Sequence, residues 1–309
     1  MEKILEIKQV SKSFGKKKII DNVSFSVNGG EVFGFLGPNG AGKTTVIKMI
    51  CGLLSIDSGE IIVNGHGVSD EFEKAMARVG GIIENPELYG YLSGRENLKL
   101  FSRMHAGIDE SRINEMVELV KLGNRIDDKV KKYSLGMRQR LGVAQALIHK
   151  PNLLILDEPT NGLDPMGIKE LRDILHTLTR EQGVAVLVSS HLLSEMELMC
   201  DRVGIIDAGR MIDIKTIDEI RQSETQQATY RFEVSDLALA LKLAAELYPG
   251  VETQAEEQAL QIPSDREKAA LFNRTLVQAG VCVYGFEQLT HSLEDEFLRI
   301  TTGSKSQIR

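Results

Sequence analysis

The chain has 309 residues, of which 42% are hydrophobic, enough for the cores of two domains. A formal net charge of −7 gives no global basic field for nucleic acid, and three scattered cysteines (Cys51, Cys200 and Cys282) form neither a disulfide framework nor a metal-ligand spacing. The cysteine usage fits the reducing cytosol, no signal segment opens the chain, and no apolar run approaches the ~20 residues needed to cross a bilayer, so work at a membrane requires a spanning part from another chain.

Residues 1–30 alternate apolar and polar, which predicts half-buried antiparallel strands. Residues 31–36 read as a short buried strand. The run Gly37-Pro38-Asn39-Gly40-Ala41-Gly42-Lys43-Thr44 follows, and it fits G-x-x-x-x-G-K-[ST] at every fixed position. Residues 44–52 then carry apolar side chains at helical spacing. A strand, a glycine loop and a helix N-terminus aim several backbone N–H groups at one point, which binds phosphate. Lys43 reaches the β- and γ-phosphates in such a loop, Thr44 holds Mg2+, and Thr45 completes the ATP-binding segment.

Residues 57–60 read as a turn, 61–63 as a strand and Asn64-Gly65 as a second turn. From about 95 to 150 the pattern is helical and rich in charge. Within it Tyr133-Ser134-Leu135-Gly136-Met137 precedes a helix for which Ser134 is a good N-cap. Two buried strands, 153–156 and 184–188, flank a helix at about 166–180, and a third apolar run spans 203–206. Strands of this kind alternating with helices predict an α/β fold with a mostly parallel sheet covered on both faces.

The 153–156 strand ends in Asp157-Glu158. A buried strand tip can hold Asp157 at the metal side of the phosphate loop, while Glu158 faces another direction and can orient or deprotonate water. Pro159-Thr160-Asn161-Gly162-Leu163-Asp164 comes next. His191 follows the 184–188 strand in Ser189-Ser190-His191.

These motifs together resemble the ATP-binding domain of ABC transporters, over residues 1 to about 215. Ser134 and Gly136 match that family's signature segment, usually Leu-Ser-Gly-Gly-Gln, whereas Tyr133, Leu135 and Met137 depart from it. The resemblance implies a P-loop ATPase with a parallel core sheet, an antiparallel β subdomain and a helical subdomain at about 86–150. It implies catalytic roles for Glu158 and His191, adenine stacking on Phe14, and an interface loop through Asp164. It implies that Ser134, Leu135, Gly136 and Met137 of one subunit close on ATP held by a second copy. Two ATPs then glue a head-to-tail pair. An integral-membrane permease is the other implied partner, which would place the chain at the cytoplasmic face of the membrane.

Glu84, in Gly81-Ile82-Ile83-Glu84-Asn85-Pro86, stands where the family usually has a glutamine that contacts Mg2+ and the permease. A carboxylate coordinates Mg2+ as a charged ligand, so the expected metal set is Thr44, Glu84 and Asp157. Glu84, with Tyr89, Asn97-Leu98 and the 133–137 segment, resembles the bacitracin and lantibiotic self-protection exporters. Their C-terminal extensions end like Ser292-Leu293-Glu294-Asp295-Glu296-Phe297-Leu298. The surface around Glu84 and 89–104 is expected to receive the permease. Sodium or lipid export and, less consistent with a single phosphate loop, a soluble non-transport ATPase are the alternatives.

The domain plan is therefore 1–220 for ATP binding, a linker at 221–229, a small C-terminal α+β domain at 230–302 and a polar tail at 303–309. In the C-terminal part, strands at 230–234 and 281–286, helices at 237–247 and 265–279, a turn at Pro249-Gly250 and an extended segment through Leu260 and Ile262 are predicted.

Overall fold

Strands β1 (Lys3–Phe14) and β2 (Lys17–Asn28) pair antiparallel, as their alternation predicts. Leu5, Ile7, Val10, Val23 and Val27 are buried. The computed structural model describes residues 2–220, 229–251, 253–256 and 258–289. Strand β3 (Val32–Leu36) is buried throughout and leads through the glycine loop to helix α1 (Lys43–Ile50). Strands β4 (Ser58–Val63) and β5 (His66–Gly67) complete a four-stranded antiparallel sheet in the order β2-β1-β4-β5. Asn64 and Gly65 both have positive φ, which suits the two-residue turn between β4 and β5. The turn expected at 57–60 is not there. Ser58 and Glu60 pair with Ser11 and Lys8, and the register breaks between those two β1 residues. The turn-forming residues serve a bulge inside a strand pair instead of a reversal.

Helix α2 (Phe72–Met76) precedes β6 (Val79–Ile82). The predicted helical stretch resolves into α3 (Gly94–Ser102), α4 (Glu110–Leu119) and α5 (Leu135–Leu147), with two short 3-10 turns between the last two. Ser93 and Glu96 form a reciprocal capping box at α3, and Asp109 caps α4. Then come β7 (Leu153–Asp157), α6 (Pro165–Gln182), β8 (Ala185–Ser190), α7 (Leu193–Met199), β9 (Arg202–Asp207) and β10 (Arg210–Thr216). The central sheet runs β10-β9-β3-β8-β7-β6. Its strands from β9 to β6 are parallel and near-continuously apolar, and only the edge strand β10 is antiparallel. Phe33, Phe35, Val46, Ile47, Leu153, Ile155 and Leu187 join the β1–β2 face in one core.

Packing divides the chain into two compact units, Met1–Thr216 and Ile217–Arg309. Strand β10, paired to β9 as far as Thr216, is the last element of the first, so the division falls a few residues before position 220. The second unit holds β11 (Thr229–Val234), α8 (Leu237–Leu247), β12 (Gln254–Glu256), β13 (Ala259–Pro263), α9 (Arg266–Gln278) and β14 (Val283–Leu289). Its antiparallel sheet has the order β12-β13-β11-β14. Phe232 meets Phe272 of α9 edge-on at 5.0 Å in a core with Leu260 and Leu276. Most of the expected linker, the Ser292–Leu298 segment and the polar tail lie outside the described residues.

Candidate functional site

The parallel strands deliver their carboxyl ends to one edge of the central sheet, where ligands of open α/β sheets bind. The glycine loop leaves β3, the Glu84 segment leaves β6, Asp157-Glu158 ends β7 and His191 follows β8. The Gly37 amide donates to the Ser190 carbonyl at 3.2 Å, and the Gly209 amide donates to the Ala41 carbonyl at 3.0 Å. These bonds hold the loop on both sides. Gly42 enters α1 at φ 109, and no side chain caps that helix. A residue with a Cβ is strained at this φ and would meet Ile20 Cδ1 at 2.5 Å, so glycine is required. The first amides of α1 therefore have no internal acceptor and face the loop.

Lys43 is buried, and its Nζ donates to the Gly37 carbonyl at 2.7 Å. It also lies 3.0 Å from Glu158 Oε1. The Thr44 hydroxyl donates to Asp157 Oδ2 at 2.9 Å, and the Ser189 hydroxyl donates to Asp157 Oδ1 at 2.6 Å. The same Ser189 oxygen accepts from the Glu158 amide at 2.9 Å. His191 Nδ1 is 2.8 Å from Glu158 Oε2. One chain of contacts thus runs from the phosphate loop through both carboxylates to the histidine. Burial pushes the Cys51 thiol up to about 12, with Asp157 adding to the shift, so no thiolate forms beside α1.

Thr44, Glu84, Asp157 and Glu158 line one cavity of about 280 Å3, joined by Asn85, Gln139 and Asn161. Its donors are hard oxygens, which fit Mg2+, a cation that takes one or two carboxylates and shares the rest of its shell with phosphates and water. Glu84 is reached by Lys48 Nζ at 3.2 Å. Glu84 and Glu158 both hold left-handed backbone, with φ of 66 and 48. Such outliers at adjacent strand ends mark sites where the fold holds strain to aim a side chain.

The other expected residues stand elsewhere. Phe14 ends β1, is half exposed and lies under Lys12 Nζ at 5.8 Å from its ring centre. Ser134 caps α5 by accepting from the Met137 amide at 3.2 Å. Asp164 caps α6 by accepting from the Gly167 amide at 2.8 Å. Neither Ser134, Leu135, Gly136, Met137 nor Asp164 lines the cavity. Leu135 packs close to Gly162, and Leu163 packs close to Gly136, so the two expected interface segments form one surface of the chain.

Sequence reasoning missed Ser189 and Gln139 as site residues. A serine closing an apolar strand beside the strand of Asp157 is the signal for the first. The polar side chain on the apolar face of α5 is the signal for the second. Glu195, which accepts from Thr160 at 2.5 Å and Ser190 at 3.0 Å, ties the loops after β7 and β8 and carried no signal.

Residues 20–161 match the ABC transporter family model. The chain is 48% identical over 309 residues to the ABC transporter ATP-binding protein YhcH of Bacillus subtilis, covering 100% of this chain and 99% of the relative. It is 36% identical over 304 residues to the bacitracin transport ATP-binding protein BcrA of Bacillus licheniformis, covering 98% of this chain and 99% of the relative. A solved ATP binding subunit of an ABC transporter superposes with a TM-score of 0.63 at 32% identity, covering 71% of this chain and 92% of that one.

Proposed function

The chain belongs to the ABC transporter ATP-binding proteins, and we propose that it works as a two-fold pair that hydrolyses MgATP to drive export through a separate membrane permease. ATP binding and hydrolysis are the activity of that family. The observation that carries the reading is the unbroken contact chain Lys43–Glu158–His191 beside Thr44–Asp157, all at the carboxyl ends of parallel strands.

In this reading the free amides of α1 and the Lys43 ammonium hold the β- and γ-phosphates. Thr44, Asp157 and Glu84 would hold Mg2+, which when bound supplies charge neutralisation of the transferred phosphoryl group. Glu158 takes a proton from the attacking water, and His191 keeps that carboxylate aimed. Phe14 stacks on adenine. Ser134 to Met137 and Asp164 reach the nucleotide of a second copy, which their shared surface supports. Among the described residues no helix is long and apolar enough to cross a membrane. Tyr89 and Tyr91, ring to ring at 5.9 Å and both exposed, offer the permease an aromatic docking face.

The name of the bacitracin transport relative, together with Glu84, supports a drug or antimicrobial peptide as the cargo class. The test of the whole reading is Glu158→Gln in the full chain. It should hold an ATP-bound dimer in gel filtration and lose hydrolysis. A variant that stays monomeric with ATP and keeps full turnover removes Glu158 from the mechanism and the pair from the model of action.

A further inference from the structure

Gln139 is 4% exposed, and its amide oxygen has no hydrogen-bond partner among the described residues. It lines the cavity shared by Thr44, Asp157 and Glu158. Buried amide oxygens are almost always paired, and an orphan calls for a missing donor such as a water or ion shell. The helix that carries it is closely seated. Gly142, one turn further on, lies so close to the segment after β6 that a Cβ there would meet Pro86 Cβ at 2.5 Å. The His149 ring, just past α5, is 3.0 Å from the Val79 carbonyl at the start of β6. Helix α5 is therefore seated along β6 and the Glu84 segment, and Gln139 is held at the cavity wall.

Resting on the reading of this cavity as the metal site, we propose that Gln139 is a positioning residue. Its oxygen accepts a hydrogen bond from a water ligand of the bound Mg2+. Of the other lining residues, Glu84, Asp157 and Glu158 are carboxylates, the Thr44 hydroxyl already donates to Asp157, and neither Asn85 nor Asn161 donates to the Gln139 oxygen. A metal-bound water is a strong donor, so it supplies the kind of partner that the orphan oxygen lacks. The consequence is mechanical. Gln139 lies about one and a half turns after Ser134 on the same helix. The helix that begins at Ser134 thereby registers whether this chain's own metal site is filled.

The test uses the full chain as wild type, Gln139→Leu and Gln139→Glu. Equilibrium binding of adenylyl imidodiphosphate is measured with Mg2+ and with a chelator, and thermal unfolding is measured without nucleotide. Gln139→Leu should weaken binding of the Mg2+ complex about three- to tenfold and leave metal-free binding unchanged. Gln139→Glu, which keeps an acceptor oxygen, should restore it. Unliganded Gln139→Leu should melt no lower than wild type, because removing an orphan oxygen removes its desolvation cost. Equal loss with and without Mg2+, or no loss, overturns the proposal. Wild-type binding that does not respond to Mg2+ at all overturns the metal-site reading itself. Gln139→Met, of the same length, takes the place of the leucine variant should that one fail to fold, with the same outcomes.

Discussion

The Lys43 ammonium and the Glu158 carboxylate form an ion pair of 3.0 Å, with both side chains largely buried. In the proposed reading, the cation that would hold phosphate and the base that would activate water are thus paired with each other. On that reading, incoming γ-phosphate would take Lys43 from Glu158 and so free the carboxylate for water once substrate is in place. Glu158→Gln removes the competing anion. It should bind ATP several-fold tighter while hydrolysis falls by about 10²–10⁴-fold. Nucleotide titration and single-turnover assays read the two effects separately, and tighter binding with unchanged turnover would contradict the assignment of Glu158 as base.

Phe14 is held from behind by charge. Lys12 Nζ sits 2.9 Å from Asp57 Oδ1, and Asp57 Oδ2 accepts from the Ser13 amide at 2.7 Å. The Lys12 hydrogen bond, and then the Ser13 amide, hold the Asp57 carboxyl below its usual 3.8. A depressed folded value means that this contribution is present above about pH 3.8 and fades as pH falls through the folded value. Phe14→Ala should weaken ATP affinity about tenfold, the worth of one base stacked on an aromatic ring. Asp57→Asn should weaken it less and lower the melting temperature at pH 7, with the difference from wild type closing in strong acid. Equal melting at pH 7 would show that the Lys12–Asp57 pair does not brace the end of β1.

Glu84 is paired only with Lys48 among the described residues, at 3.2 Å and largely in solvent. Exposed pairs of this kind contribute about 0–1 kcal/mol. Glu84→Gln should therefore leave the melting temperature nearly unchanged. In the proposed metal set it would replace a charged ligand by a neutral one, so the Mg2+ concentration for half-maximal hydrolysis should rise several-fold. A variant with an unchanged Mg2+ response would remove Glu84 from the metal set and leave it a surface residue.

The core sheet was legible because its strands are buried on both faces and read as continuous apolar runs, such as 153–156 and 184–188. The phosphate loop and Asp157-Glu158 were legible because their chemistry fixes residue types at short spacing. Strand β10 was not, since its alternation is short, Ile212-Asp213-Ile214-Lys215, and its two isoleucines stay exposed on the sheet edge. The bulge at Ser58 to Glu60 was read as a turn because glycine and polar residues serve both. Ser189 and Gln139 escaped notice for a different reason. Their roles come from neighbours 32 residues away for Ser189 and from strand β7 and the Glu84 segment for Gln139, contacts that only the folded sheet creates.

His149 gives the first unit an acid sensitivity. Its ring stacks on His105 at 4.5 Å. Burial, then the His105 charge, holds it below its ordinary 6.5, and Arg112 and Arg78 act in the same direction against the Val79 carbonyl. The folded state therefore binds fewer protons at this site than the unfolded chain. Stability is full above about pH 6.5 and declines as pH drops through that value toward the folded one. The melting temperature should fall between pH 7 and 5.5, and His149→Gln should remove part of that slope. Parallel curves for variant and wild type would place the acid sensitivity elsewhere.

Helix α5 and the Glu84 segment are closely apposed at Gly142, where a Cβ would meet Pro86 Cβ at 2.5 Å and Ile82 Cδ1 at 3.1 Å. Gly142→Ala adds one methyl to this contact. On helix propensity alone alanine would stabilise by about 1 kcal/mol. The overlap with a proline ring, which cannot rotate away, costs about 1–3 kcal/mol and should win. The strain would push α5 from the segment that carries Glu84 and from the cavity wall held by Gln139. Lower stability should therefore come with a raised Mg2+ requirement, although residue 142 does not line the cavity. Gly123→Ala is the control, because a Cβ there meets nothing within 4 Å and its φ is not positive; it should be neutral or slightly stabilising. If Gly142→Ala melts like Gly123→Ala and keeps its Mg2+ response, the seating of α5 on the Glu84 segment does not govern the site.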